Sequence, residues 1–447
     1  MFDVKTELGR CLAHLLKVHP HEISLGLHRV KKVAERLDLP FQDKEVRLES
    51  EIIVVAGTNG KGSVCAMLEK IFIEAGYSTS LYTSPHILKF EERLRFNGVF
   101  LEASDWIETF KKVENARLIN PIEKLTFFEA STIAAILMVH TRKPDIAIFE
   151  VGLGGRLDAV NLLANDCSII TSISLDHQKY LGSSREQIGW EKAHVARSQK
   201  PFVIGDIDPP KKVIEFANSI SAKIIRYGFD FDYKLNDSQW NWYSEKKKRL
   251  GLALPSLRGN HQLVNASAVL ASLECLSSNF PVCQGAVRKG LASVELPARF
   301  QVIPGKPTVI LDVAHNPQAA EMLSHNLDKI GFFPKTIAVV GILADKDAKE
   351  IFSKLEKKID HWFLSTLDHD LASTRNRSAM SLLTALQSLK SKFDAKCFEN
   401  PTDAFKAASK CATSNDRIVV FGSFITVSSV WSEAHILGKH TTTKYVE

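Results

Sequence analysis

The sequence has little that would tie it to a membrane, an oxidising compartment or a repeat architecture. No run of about eighteen apolar residues occurs, so no membrane-spanning helix is expected. The seven cysteines stand at 11, 65, 167, 275, 283, 397 and 411 without a Cys-x-x-Cys pair. An odd, dispersed set of this kind reads as buried thiols in a reducing compartment. Internal repeats and low-complexity segments are absent. Met1–Glu7 carries charges where a signal peptide would be apolar, and a cytoplasmic location is expected. The net charge of +6 is modest for 447 residues. Its densest basic run, Lys246-Lys247-Lys248-Arg249, reads as a solvated turn. Neither a nucleic acid nor a membrane surface is expected as partner, whereas a mild positive balance suits anionic small molecules.

What is present is an ordinary soluble composition, 45% hydrophobic and 24% charged, in a chain long enough for two or three domains. Residues 1–50 read as mostly helical, interrupted near Gly26 and ending near Pro40. From 51 to about 205 apolar strands alternate with helical stretches, the pattern of a parallel α/β sheet. Strands are expected at 52–56, 79–83, 145–151, 168–173 and 201–204, with a buried helix from Phe127 to Val139. The aromatic texture of 225–257 predicts short antiparallel hairpins, followed by helices at 259–276 and 282–292. A second α/β region has expected strands at 299–303, 308–313, 336–341, 361–365 and 417–421. The boundary is placed at Leu296-Pro297-Ala298-Arg299, giving domains 1–296 and 297–447.

The most informative segment is Gly57-Thr58-Asn59-Gly60-Lys61-Gly62-Ser63. An apolar strand precedes it, and Val64 to Phe72 reads as a helix closed by Gly76. Strand, glycine turn and helix aim backbone N–H groups and a helix dipole at one point, which favours a phosphate. Lys61 adds a point charge, and Ser63 is the hydroxyl that ordinary P-loop logic would give to magnesium. The pattern departs from the usual motif, since Val55 stands where a glycine is expected and Gly62 follows the lysine. A nucleoside triphosphate site, with ATP and Mg2+, is the expectation.

Three further segments carry polar groups at strand ends. Glu150 closes a strand and opens the turn Gly152-Leu153-Gly154-Gly155-Arg156-Leu157-Asp158, where it can hold a phosphate-bound magnesium or simply be solvated. Arg156 and Asp158 can orient a ligand or be surface polar groups. Asp176-His177 follows the strand ending at 173, and His177 is either a metal ligand or a hydrogen-bonding histidine. Lys192, taken alone, is a surface helix lysine. In the second region Asp312 and His315 follow an apolar strand, either facing a cleft between domains or capping the helix that Pro317 starts.

The ordered set of segments resembles the Mur ligase superfamily, and within it the dihydrofolate synthase/folylpolyglutamate synthase family. It comprises Leu25-Gly26-Leu27 with Arg29-Val30, the turn Gly57–Ser63, Thr83-Ser84-Pro85-His86 with Glu92-Arg93-Leu94-Arg95, and Leu125–Glu129. Glu150–Asn161, Leu175-Asp176-His177, Glu191-Lys192-Ala193, and Gly259-Asn260-His261-Gln262 with Asn265-Ala266 continue it. Arg299-Phe300, Asp312–Pro317, Asp345-Lys346-Asp347 and Gly422-Ser423-Phe424 complete it. The resemblance implies a P-loop ATP-binding domain with a parallel sheet and a smaller Rossmann-like C-terminal domain. It also implies an ATP-dependent ligase that joins L-glutamate to dihydropteroate and to reduced folates through an acyl phosphate.

By the same resemblance, Ser84 and Glu150 hold one magnesium and His177 joins a second, leaving Ser63 as a fallback ligand. Lys192 matches a lysine that is often carbamylated, which reverses its reading as a surface residue. Asn265, Arg299 and Asp312 match nucleotide-contacting positions, and His315 borders the glutamate site. Ser24, Leu25 and Gly26, Thr126, Phe127, Phe128 and Glu129, and Leu157, Asp158 and Ala159 match the pteroate-side loops. Lys61, Lys192, His177, Asp312 and His315 are the expected catalytic set. A monomer whose two domains close over ATP is expected.

Three departures stand out. His194 replaces a usual glycine after Ala193, Ala298 replaces one before Arg299, and Ile425 replaces a usual histidine after Phe424. A monofunctional synthase and a cell-wall Mur ligase are the alternative enzymes, the latter disfavoured because about fifty residues precede the glycine turn. A P-loop switch ATPase or a non-catalytic nucleotide-binding protein is the alternative of another class.

Overall fold

The computed structural model describes residues 3–19, 21, 23–367, 375–389 and 393–442. The outermost residues of the two expected domains, 1, 2 and 443–447, lie outside the described residues. The chain forms two compact units, Phe2–Ser256 with Asn260–Glu295, and Leu257–Gly259 with Leu296–Glu447.

The first unit opens with helices Glu7–Val18 and His28–Arg36 and a two-residue antiparallel ladder of β1 (Phe41–Gln42) and β2 (Glu45–Val46). Its sheet has eight strands: β3 (Glu51–Ala56), β4 (Thr79–Tyr82), β5 (Leu94–Phe96), β6 (Val99–Phe100), β7 (Ile146–Glu150), β8 (Cys167–Ile170), β9 (Pro201–Ile204) and β10 (Lys223–Arg226). In space they run β10-β9-β8-β3-β7-β4-β5-β6. The six from β10 to β4 are parallel, and β5 and β6 add an antiparallel edge. The apolar run Ile52 to Ala56 is wholly buried because β3 is central and covered on both faces.

Parallel pairing brings the carboxyl ends of β3, β4, β7 and β8 to one edge, where α/β proteins bind ligands. Helix Phe127–Arg142 is apolar almost all round and lies in the core. Its start is fixed by a reciprocal cap, with Thr126 Oγ1 accepting from Glu129 N and Glu129 Oε2 accepting from Thr126 N. The hairpin region becomes one antiparallel sheet of β11 (Phe231–Asn236), β12 (Gln239–Ser244) and β13 (Lys248–Ala253), anchored by fully buried Trp240 and Trp242.

The second unit holds a sheet of β14 (Gln301–Ile303), β15 (Thr308–Leu311), β16 (Thr336–Val340), β17 (His361–Ser365), β18 (Asp394–Phe398) and β19 (Arg417–Phe421). Their order is β14-β15-β19-β16-β17-β18, parallel except for β14.

The expected α/β architecture stands, with corrections in detail. Strands β10 and β18 lie outside the expected set, because edge strands bury one face weakly and charges at Lys223 and Arg226, and at Asp394 and Lys396, leave little apolar pattern. Strand β8 stops at Ile170 rather than 173, since residues 171–174 turn to bind the glycine loop. The antiparallel edge β5–β6 modifies the all-parallel expectation. Among the described residues no helix is long and apolar enough to cross a membrane.

Candidate functional site

The glycine turn is shaped by backbone demands that only glycine meets. Gly57 has φ 146°, and a Cβ there would lie 1.8 Å from Thr171 Oγ1. Gly60 has φ 92° and caps the helix Lys61–Glu74, which starts three residues earlier than the apolar pattern suggested. The first helical bond runs from Val64 N to Gly60 O, so the amides of Lys61, Gly62 and Ser63 precede the ladder. That is the anion-binding geometry of a helix N-terminus. Thr58 N donates to Ser172 O at 2.6 Å, Ser174 N donates to Thr58 Oγ1 at 3.1 Å, and Thr171 Oγ1 donates to Asn59 O at 2.6 Å. The loop is therefore held along its length by the segment after β8.

Two lysines converge on one carbonyl. Lys61 Nζ donates to Gly57 O at 3.1 Å, and Lys192 Nζ donates to the same oxygen at 2.8 Å. Lys192 is only 4% exposed, so its isolated reading as a surface helix lysine is corrected. Burial, with the Lys61 charge nearby, lowers its pKa from 10.5 to about 7. An amine near that value is neutral often enough at physiological pH to react with carbon dioxide.

Glu150 ends β7, is buried, and its Oε2 accepts from Ser84 N at 3.1 Å. These two expected metal ligands are thus adjacent although 66 residues separate them. Ser84 lies in a loop braced from within: the Glu92 carboxylate accepts from the amides of Ile87, Leu88 and Lys89 at 2.7, 2.8 and 2.7 Å. His177 holds a left-handed backbone, φ 50°, and its amide donates to Asp176 Oδ1. The hydroxyl and carboxylate at Ser84 and Glu150 are hard oxygen donors, which fit magnesium. Among the described residues no group of three His, Cys, Asp or Glu side chains is arranged as a metal site.

Asn265 packs against Gly60, whose Cβ would meet Asn265 Oδ1 at 2.6 Å. Gln262, to which no role had been given, donates from Nε2 to Ser63 Oγ and accepts from Asn265 Nδ2. Ser63 is buried and engaged there.

The three loops expected on the pteroate side meet. Gly26 N donates to Leu157 O at 3.3 Å, and Arg29 joins Ser24 O (2.8 Å) to Glu129 Oε1 (2.7 Å). Arg29 is only a motif residue in the sequence, because the acid that gives it a role lies 100 residues away. Leu25 is half-buried. The Phe127 ring lies under Arg93, and the Phe128 ring fills the space where Gly152 lacks a Cβ. Asp158 is buried rather than a surface group. Its carboxylate accepts from Leu153 N and Val160 N and so caps the short helix Ala159–Leu162, and burial raises its pKa to about 7.

Within the second unit, Asp312 follows β15 and accepts from Phe300 N at 2.8 Å and Ala314 N at 2.7 Å. Burial raises its pKa, opposed by the Arg299 charge. Arg299 lies over the Phe424 ring at 5.1 Å, and the His315 ring is 6.3 Å from the same ring. The helix Pro317–Lys329 is capped by Asn316, which leaves Asp312 and His315 out of that task. Ala298, where the resemblance implies a glycine, has the left-handed φ of 57° that glycine adopts freely.

Two family models match: the Mur ligase middle domain over residues 55–273 and the Mur ligase glutamate ligase domain over residues 298–424. The chain is 37% identical over 427 residues to the dihydrofolate synthase/folylpolyglutamate synthase of Escherichia coli (strain K12), covering 95% of this chain and 94% of that protein. E. coli FolC in complex with DHPP and ADP superposes with a TM-score of 0.87 at 36% identity, covering 98% of this chain and 99% of that one. A bifunctional folylpolyglutamate synthase/dihydrofolate synthase with Mn, AMPPNP and L-glutamate bound gives a TM-score of 0.85 at 37% identity, covering 96% of this chain and 98% of that one.

Proposed function

The chain belongs to the dihydrofolate synthase/folylpolyglutamate synthase family of Mur ligases, and from that premise we propose how its residues divide the work. It is an ATP-dependent ligase that joins L-glutamate to dihydropteroate and to (poly)glutamylated reduced folates. The observation that carries the residue assignment is the convergence of Lys61 and Lys192 on the Gly57 carbonyl.

In this reading residues 1–296 bind ATP and the acceptor, and residues 297–447 supply the glutamate ligase domain. The amides opening the helix at Lys61 hold the phosphates, and the Lys61 ammonium turns from Gly57 O to the outer phosphate oxygens. The acceptor carboxylate attacks the γ-phosphorus and ADP leaves; the glutamate amine then attacks the acyl phosphate, losing a proton as phosphate departs and the amide forms. Magnesium, when bound, supplies the positive charge that stabilises the transferring group. Ser84 and Glu150 would hold one ion, and His177 with carbamylated Lys192 a second. Asn265 supports the phosphate turn from behind Gly60, while Arg299 and Asp312 contact the nucleotide and His315 borders glutamate. Arg29 and Glu129 fix the loops Ser24–Gly26 and Thr126–Glu129 around the acceptor, with Leu157–Ala159 as the third wall. A monomeric cytoplasmic enzyme completes the proposal.

The test is phosphate release from ATP with glutamate plus dihydropteroate, and separately with glutamate plus tetrahydrofolate. Release with both acceptors is expected. Release with one alone would restrict the activity, and none from a folded protein that binds ATP would overturn the reading.

A further inference from the structure

We propose that Arg156 and Glu191 are positioning residues that tie the acceptor loop Leu157–Ala159 to Lys192, so that seating of the acceptor and placement of the lysine are set together. The proposal rests on the roles assigned above to those two elements.

The tie is made at three levels. Arg156 N donates to Glu191 O at 2.9 Å, joining the loop backbone to the last turn of the helix Arg185–Ala193. Gly155 lies so close to that turn that a Cβ would sit 2.6 Å from Glu191 O and 3.0 Å from Lys192 Cα. The Arg156 guanidinium then grips the Glu191 carboxylate, Nη2 to Oε1 at 2.9 Å and Nε to both oxygens at 3.2 and 3.3 Å. Planar, forked pairing of this kind sets orientation as well as distance. Asp158 follows Arg156 by two residues, and Lys192 adjoins Glu191, so no flexible spacer separates the clamp from either element.

The clamp has a support on its other side. Arg156 lies over the Trp190 ring at 4.9 Å, Trp190 meets the His194 ring edge-on at 4.4 Å, and His194 stacks on Phe216 at 3.9 Å. His194 Nδ1 is 2.8 Å from Trp190 O, which fixes the imidazole in this stack. The departure from glycine at position 194 therefore gives Trp190, and through it Arg156, a second ring to rest on.

The test uses the full chain with Glu191→Ala, Arg156→Ala and the double variant. Dihydropteroate affinity is read by calorimetry without nucleotide, and Lys192 carbamate by 13C NMR after equilibration with 13C-bicarbonate. Glu191→Ala lies outside the acceptor loop, yet it should weaken dihydropteroate about 5-fold, and the double variant should be no worse than either single. Arg156→Ala should lower the carbamate signal by about half or more at fixed bicarbonate. Unchanged dihydropteroate affinity in Glu191→Ala, or losses that multiply in the double variant, would overturn the coupling. If the parent shows no carbamate, the Lys192 assignment fails while the dihydropteroate cycle still decides the clamp. Should Glu191→Ala not fold, Glu191→Gln replaces it with an expected 2-fold loss, and full affinity there is the overturning result.

Discussion

Replacing Lys192 by methionine should abolish turnover and make the protein more stable, and the gain should depend on pH. The ammonium is 4% exposed, and burial lowers its pKa from 10.5 to about 7. A difference of about 3.5 in pKa corresponds to a ceiling of about 5 kcal/mol against the charged native state. Between pH 7 and 10.5 the unfolded chain binds the proton more tightly than the native one, so this residue's contribution improves as pH rises. Below pH 7 both states carry the charge and the full penalty applies. Methionine keeps the volume without the charge, and the Gly57 carbonyl retains Lys61 Nζ at 3.1 Å as donor. Replacing even a buried ion pair by apolar side chains is often neutral or gains about 1–4 kcal/mol. A gain of about 2 kcal/mol at pH 6.5 is expected, mostly gone by pH 9.5. Urea unfolding at the two pH values measures it, in degassed buffer without nucleotide or bicarbonate so that the lysine remains a free amine. A variant no more stable than the parent, or equally stabilised at both pH values, would refute the buried-cation reasoning. Lys192→Ala should likewise be inactive, with part of the activity restored by acetate.

Three other perturbations test other parts of the site. Gly57→Ala places a methyl 1.8 Å from Thr171 Oγ1 and should displace the phosphate turn, cutting kcat/KM for ATP by about 100-fold; steady-state kinetics within a factor of three of the parent would count against the geometry. Arg29→Met strands the 4%-exposed Glu129 without its cation and should lower stability by about 2 kcal/mol and raise KM for dihydropteroate, leaving KM for ATP unchanged. Asp312→Asn can keep only one acceptor oxygen for the amides of Phe300 and Ala314, and should raise KM for ATP by about 10-fold; a KM equal to the parent's would remove Asp312 from the nucleotide site.

The fold was legible where burial is extreme. The run Ile52–Ala56 and the helix beginning at Phe127 are buried on every side, and continuous apolar sequence has few other readings. The strands that escaped are those whose stability comes from a neighbour rather than from their own pattern. Lys223–Arg226 adds to the sheet by pairing in parallel with Pro201–Ile204, and Asp394–Phe398 does the same beside His361–Ser365. In both, backbone hydrogen bonds to an existing edge do what side-chain burial does in the centre, and a one-dimensional pattern does not register them.

The site divides in the same way, between groups whose chemistry is local and groups whose chemistry is made by distant contacts. The glycines around Lys61 announce a phosphate turn because the conformations they permit belong to those residues alone. Lys192 has no such signature: a lysine in a helix is ordinary, and what changes it is a carbonyl 135 residues away that draws it into the core. Asp158 is similar, since its raised pKa comes from packing around the loop and not from its neighbours in sequence. Resemblance to a family supplied Lys192 as a name without a cause. The cause is the edge of the parallel sheet: strands β3, β7 and β8 end together, the segment after β8 laces the glycine turn, and Gly155 lets the turn after β7 touch the lysine helix. A buried amine beside a phosphate turn would be a liability in a protein selected for stability alone. If the amine at that edge serves the reaction, Lys192→Met gains stability and loses turnover together, and those opposed changes are the signature of that exchange.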